Sequence, residues 1–150
     1  MKILIDSREQ RPLEFSHPYI AGIIHKGLVC GDYMVMFNDG YVMPLSFERK
    51  ALGDLFSTLS SGYKRFKREI ERARAADIKL VIVIEGSLNR ILKGAPHSTV
   101  EGITILRKLI TLWLRYGVEF HWFTSREEMA LFIVETFVRG GRAYVESKKR

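Results

Sequence analysis

A single cysteine, Cys30, stands among 150 residues. One thiol forms no intrachain disulfide, so the fold must rest on its core, as suits a reducing compartment. Prolines number only four, and neither a repeat nor a Ser/Gly/Pro-rich linker breaks the chain. Long apolar runs are missing too. The strongest, "LVIVI" at 80–84, falls far short of the ~20 residues that span a bilayer. Asp6 interrupts the apolar start that a secretory signal would need. The four histidines, His17, His25, His97 and His121, show no Cys/His spacing of a zinc site. These absences lead to the expectation of a cytoplasmic protein without a membrane segment, nucleoid-associated in a prokaryote and nuclear in a eukaryote.

What is present is an excess of positive charge. Lysine and arginine outnumber the acids 24 to 17, a formal charge of +7, which favours polyanionic partners without specifying a fold. The apolar share of 47% is ordinary for a globular chain.

"KILID" (2–6) reads as a short strand. "LVCGDYMVMF" (28–37) and "GYVMPLSFER" (40–49) flank a turn at "NDG" and read as a β-hairpin, with Pro44 marking a bulge or edge. "SSGYKRFKREIERARAAD" spaces Phe66, Ile70 and Ala73 on one helical face. "KLVIVIE" (79–85) is apolar on both alternations, as in a strand covered on both sides. Ser98 with Glu101, and Ser125 with Glu128, have capping-box spacing. They predict helices over 99–116 and 126–139, closed by Gly117 and Gly140, around a strand "VEFHWF" (118–123). Domain boundaries follow at 1–140 for the folded unit and 141–150 for a basic C-terminal tail, whose last four residues, "SKKR", read as mobile.

In the helix over 99–116 the apolar residues form two rows, Ile103, Leu106, Ile110 and Trp113, and Ile105, Leu109 and Leu112. One row suffices to dock on a sheet, so the other meets either neighbouring helices or a second subunit.

The chemistry is concentrated where "PLSFERKALGD" (44–54) turns from apolar to charged. Alternation along a strand sends Glu48 and Lys50 to one face, and Arg49 to the other with Leu45 and Phe47. The hairpin brings Asp32 toward Glu48. Two close carboxylates repel unless a cation lies between them, and a hard divalent ion prefers such oxygens. Lys50 would then face a metal-bound water or a phosphate, an arrangement suited to phosphodiester hydrolysis. A solvated charge cluster at a strand end is the competing reading of the same triplet.

"IDSRE" (5–9), "GDY" (31–33) and "FERK" (47–50) with Asp54 in E-R-K-x-x-x-D spacing occur in the order of one known family. The chain resembles the nuclease domain of the XPF/MUS/Hef structure-specific endonucleases, within the PD-(D/E)XK superfamily, from residue 3 to about 139. The resemblance implies a restriction-endonuclease-like α/β fold, three α/β/α layers around a central mixed β-sheet. It implies Asp32, Glu48, Lys50 and Arg49 as catalytic residues, with Asp32, Glu48 and Asp6 around Mg2+, or Mn2+ as its substitute. Arg8 and Asp54 would be accessory. Asp54 also reads as a first-turn acid of the next helix, favoured by the helix dipole. Arg49, on the other strand face, is expected to support the site by pairing with Asp54 or Asp6. Family members form dimers, which the doubled apolar rows accommodate through the C-terminal helices.

The same resemblance implies a branched DNA substrate, a flap or fork, in repair or recombination. No tandem helix-hairpin-helix module lies within these residues, so the expectation is a stand-alone nuclease domain aided by a separate DNA-binding partner. Lys64, Arg65, Lys67 and Arg68, followed by Arg72 and Arg74, would lie along the DNA backbone, positioning it without reading sequence. A solvated helix face with internal ion pairs is the alternative. The alternative function is a non-catalytic DNA-binding or scaffolding subunit of a nuclease complex. Another PD-(D/E)XK activity, junction resolution or RNA cleavage, is a third.

Overall fold

The computed structural model describes residues 1–150. Six strands form one mixed sheet, β1 (Lys2–Asp6), β2 (Gly22–Lys26), β3 (Tyr33–Met36), β4 (Leu45–Ala51), β5 (Lys79–Glu85) and β6 (Glu119–Phe123). Their spatial order is β2-β1-β3-β4-β5-β6. β3 runs antiparallel to β1 and β4, and the other pairings are parallel. The helices are α1 (Leu52–Thr58), α2 (Tyr63–Ala75), α3 (Leu88–Lys93), α4 (Gly102–Tyr116) and α5 (Arg126–Lys148). This is the expected three-layer α/β/α arrangement.

Alternation in β5 shows how the layers are built. Leu80, Ile82 and Ile84 pack with α1–α4, while Val81 and Val83 pack with α5. Every one of these residues is at most 4% exposed, so a run without polar alternation is a strand between two helical layers. α5 contributes Met129, Ile133 and Phe137 to one core, and α2 contributes Phe66, Ile70 and Ala73 to the other. Burying a side chain such as Phe66 or Ile70 contributes about 1.5–3 kcal/mol.

Several expectations are corrected. The hairpin strands are shorter than predicted, because residues 29–32 form bends and Met36 meets Val42 only as an isolated bridge. Ser98 is not the cap of α4; its Oγ accepts from Val100 N–H, and Glu101 holds the cap position without a side-chain bond. Ser125 does cap α5, accepting from Glu128 N–H at 3.1 Å, and Gly117 does close α4 in the left-handed region.

Gly140 does not end α5. A Cβ there would collide with Met43 Sδ, and one at Gly141 would come within 2.9 Å of the Phe37 ring. These glycines therefore serve close packing, and the helix continues to Lys148. The segment expected to be a basic tail is anchored, with Tyr41 and Tyr144 stacked at 4.0 Å and Lys148 Nζ 2.6 Å from Asp39. β2 and α3 are elements that the pattern of the sequence did not announce, whereas α1 is the helix whose first turn Asp54 was read to occupy.

Candidate active site

Asp6 is the last residue of β1, Asp32 immediately precedes β3, and Glu48 sits midway along β4, one residue past the Phe47 that pairs with Tyr33. Since β3 is antiparallel to both neighbours, all three carboxylates come to the same end of the sheet. Three backbone bonds lock them there: Asp6 N–H to Asp32 C=O at 2.8 Å, Asp32 N–H to Phe47 C=O at 2.7 Å, and Arg49 N–H to Asp32 Oδ2 at 2.7 Å.

Glu48 and Lys50 share a strand face as alternation requires, with Lys50 Nζ 3.2 Å from Glu48 Oε1. That face is not open, however. Helices α1–α4 cover it, and Glu48 is only 8% exposed. Burial, reinforced by the charges of Asp32 and Glu69, drives the Glu48 carboxyl well above the usual carboxylate range. Burial likewise pushes Asp32 up to about 7, despite the hydrogen bond from Arg49 N–H. One ammonium therefore faces a pair of carboxylates that it does not neutralise.

The loop before Asp32 is fixed from two sides. Gly31 adopts φ 71°, and a Cβ on it would run into Ser46 Oγ, which donates to Cys30 C=O at 2.7 Å. Gly31 N–H donates at 2.8 Å to Glu69 Oε1, a residue of α2 that sequence reading passed over. The helical spacing held the clue: Glu69 is three residues from Phe66 and four from Ala73, on the inward side. Asp6, 3% exposed, accepts from Leu28 N–H at 2.8 Å and from Arg8 Nε at 2.9 Å. Burial would raise its pKa, but Arg8 and the backbone donors outweigh that and hold it low. The Arg8 side chain is 70% exposed at the mouth of the site.

Arg49 faces the α5 side. Its expected pairing with Asp54 or Asp6 is not formed. Instead Nε and Nη2 grip Glu9 at 3.0 and 2.7 Å, and Nη1 reaches Glu85 at 2.8 Å. Arg126, at the start of α5, completes the chain with 2.7 Å to Glu85 and 2.8 Å to Arg11 C=O. Asp54 stands exposed in the first turn of α1, with no hydrogen bond of its own. Lys64, Arg65 and Arg68 are exposed on α2 and Lys67 is partly so. Lys67 and Lys108 flank the Tyr63 ring at 4.8 and 5.0 Å.

No three His, Cys, Asp or Glu side chains converge closely enough to form a complete ion cage. Mg2+ does not require one, since it keeps several waters and takes only one or two carboxylates. Two buried acids with a single adjacent amine fit such an ion.

A family model for the ERCC4 domain matches residues 5–136. The chain belongs to the ERCC4 domain family. The motif resemblance is thereby confirmed. Among solved structures, XPF from Aeropyrum pernix aligns with TM-score 0.67 and 19% identity, covering 99% of this chain and 69% of that one. A second, XPF from Aeropyrum pernix in complex with DNA, aligns with TM-score 0.63 and 20% identity, covering 99% of this chain and 66% of that one. At these identities the likeness establishes the fold, and this ERCC4 domain spans about two thirds of the length of those chains. No curated protein matches.

Proposed function

We propose that this ERCC4 domain is a Mg2+-dependent DNA endonuclease acting on branched duplexes such as flaps or forks, in repair or recombination. The observation that carries the reading is the excess of buried carboxylate at Asp32 and Glu48 with Lys50 alone beside it. Family membership supports the nuclease class, and the DNA complex of a structural relative supports the partner.

Asp32 and Glu48 would hold the ion, which would supply Lewis acidity at the site. Lys50 stands at 3.2 Å from Glu48 and presents an ammonium to the attacking water or to the charge developing on phosphate. Arg8, exposed and aimed by Asp6, offers a guanidinium to a phosphate entering the site. Asp6 supports the metal side through that contact and through Leu28. Lys64, Arg65, Lys67 and Arg68 lay the DNA backbone along α2. Arg49 serves catalysis from behind, holding β4 so that its own N–H keeps Asp32 in place.

A homodimer is part of the proposal. The row Ile105, Leu109 and Leu112 is fully buried in the subunit, whereas Trp113 and Leu114 are 51% and 72% exposed. Edge strand β6 adds Trp122, and α5 adds Leu131 at 61% exposed. Apolar groups of this size on the last helices fit a second copy.

A nicking assay on flap, fork, four-way-junction and linear DNA, with and without Mg2+, tests the function. Wild type is expected to cut the branched substrates only with the ion, and Lys50→Ala to lose at least about 10²-fold in rate. Identical products from both proteins would leave a DNA-binding scaffold. Symmetric nicks in the junction would favour a resolvase, and cutting confined to RNA would remove the DNA assignment.

A further inference from the structure

Glu69 lies outside every motif that defines the site, yet it is hydrogen-bonded to the loop that carries Asp32. Its Oε1 accepts the Gly31 N–H at 2.8 Å, one residue before Asp32. Its charge also adds to burial and to Asp32 in raising the Glu48 carboxyl. Glu69 projects from α2 between Phe66 and Ile70, both nearly inaccessible, so the helix that carries it cannot shift without disturbing the core.

The Gly31 contact has little freedom. Gly31 is held at positive φ, with Ser46 Oγ occupying the space where a Cβ would stand. Its N–H has one orientation available, and Glu69 supplies the acceptor. On the other side Arg49 N–H fixes Asp32 Oδ2 at 2.7 Å. The Asp32 segment is thus pinned by β4 at one end and by α2 at the other.

We propose that Glu69 is a positioning residue for divalent-ion binding, fixing the Gly31–Asp32 segment and the Glu48 carboxyl in mutual register. It acts through its hydrogen bond to Gly31 N–H, which keeps Asp32 in register with Glu48, and is not itself a ligand. A consequence is that the basic helix is coupled to the ion site, since Lys67 and Arg68 immediately precede Glu69 on the same rigid element. The inference rests on the ion-binding reading of Asp32 and Glu48.

Mn2+ binding to the full chain, followed by calorimetric titration and by the loss of free-ion paramagnetic signal, provides the test. Thermal unfolding is recorded for each variant. Glu69→Ala should bind Mn2+ about 10-fold more weakly or worse, the scale found when partners of metal ligands are removed. Glu69→Gln should restore binding to within a few-fold, because an amide keeps an acceptor for Gly31 N–H. Unchanged affinity in Glu69→Ala would overturn the proposal. So would a Glu69→Gln variant as weak as Ala, since charge rather than position would then be at issue. Should Glu69→Ala fail to fold, Glu69→Met, of similar length but without an acceptor for Gly31 N–H, takes its place in the comparison. Wild type failing to bind Mn2+ would strike the proposed function instead, which separates the two failures.

Discussion

The two faces of the β4 end carry the same kinds of charge in opposite balance. Toward α5, two carboxylates, Glu9 and Glu85, meet two guanidiniums, Arg49 and Arg126. Toward α2, the carboxylates of Asp32 and Glu48 share the single amine of Lys50, and the charge of Glu69 adds to theirs. One strand thus separates a neutralised network from an unneutralised one. Where pairs are complete, charge braces structure; where cations are short, the site calls for another from outside. The pKa shifts follow the same division, since Glu9 is held low by Arg49 against the effect of its burial, whereas Glu48 and Asp32 are pushed up.

The largest effect should come from breaking the balanced face. Arg49→Ala strands Glu9, whose side chain is only 5% exposed, and removes a partner of Glu85. Leaving a buried charge unpaired costs about 3–5 kcal/mol, seen in denaturant unfolding. Replacing Lys50 by Ala should cost much less stability, because the α2 side gains nothing from balance it never had.

Next in size is Gly31→Ala, which forces a Cβ toward Ser46 Oγ at a left-handed backbone position. Strain of about 1–2 kcal/mol from conformation and about 1–3 from overpacking should appear as lost stability together with weakened Mn2+ binding.

The faces should also titrate in opposite senses. Asp32 has a folded pKa of about 7 against 3.8 for the free group, so between about 4 and about 7 the native state keeps a proton that the unfolded chain has released. Its contribution to stability without metal therefore falls as pH rises through that window. Glu9, on the balanced face, is lowered, so its contribution is lost as pH falls below the ordinary carboxylate range. Thermal melts across pH should show both limbs, and saturating Mn2+ should flatten the upper one. An upper limb that persists unchanged in Asp32→Asn would assign it to another group.

The smallest effects belong to the basic surface. Lys64→Ala or Arg68→Ala should weaken DNA binding only a few-fold and lower the salt slope by about one counterion per lost phosphate contact. Neither substitution should change unfolding, because both side chains are exposed.

Much of this was legible from local pattern. Period-two alternation placed Glu48 with Lys50 and Arg49 opposite, and the unbroken apolar run of β5 announced a sheet covered on both sides. The partners of Arg49 were not, because Glu9 and Glu85 lie 40 and 36 residues away and only the sheet brings them in. Parity offered a hint for Glu85, which follows Val81 and Val83 on the α5 side of its strand. β2 escaped because an edge strand with one partner exposes residues on both faces, erasing alternation. Gly140 misled because a glycine at a helix end and one beneath a neighbouring Met43 look alike in sequence. Glu69 was hidden by its basic neighbours.

The central claim is that the unbalanced carboxylates hold a divalent ion, and a crystal soaked in Mn2+ tests it most directly. Anomalous density is expected between Asp32 and Glu48, with Lys50 beside it and the Arg49 network undisturbed. A protein saturated with Mn2+ that shows no density there, or density only at unrelated surface acids, would contradict the account.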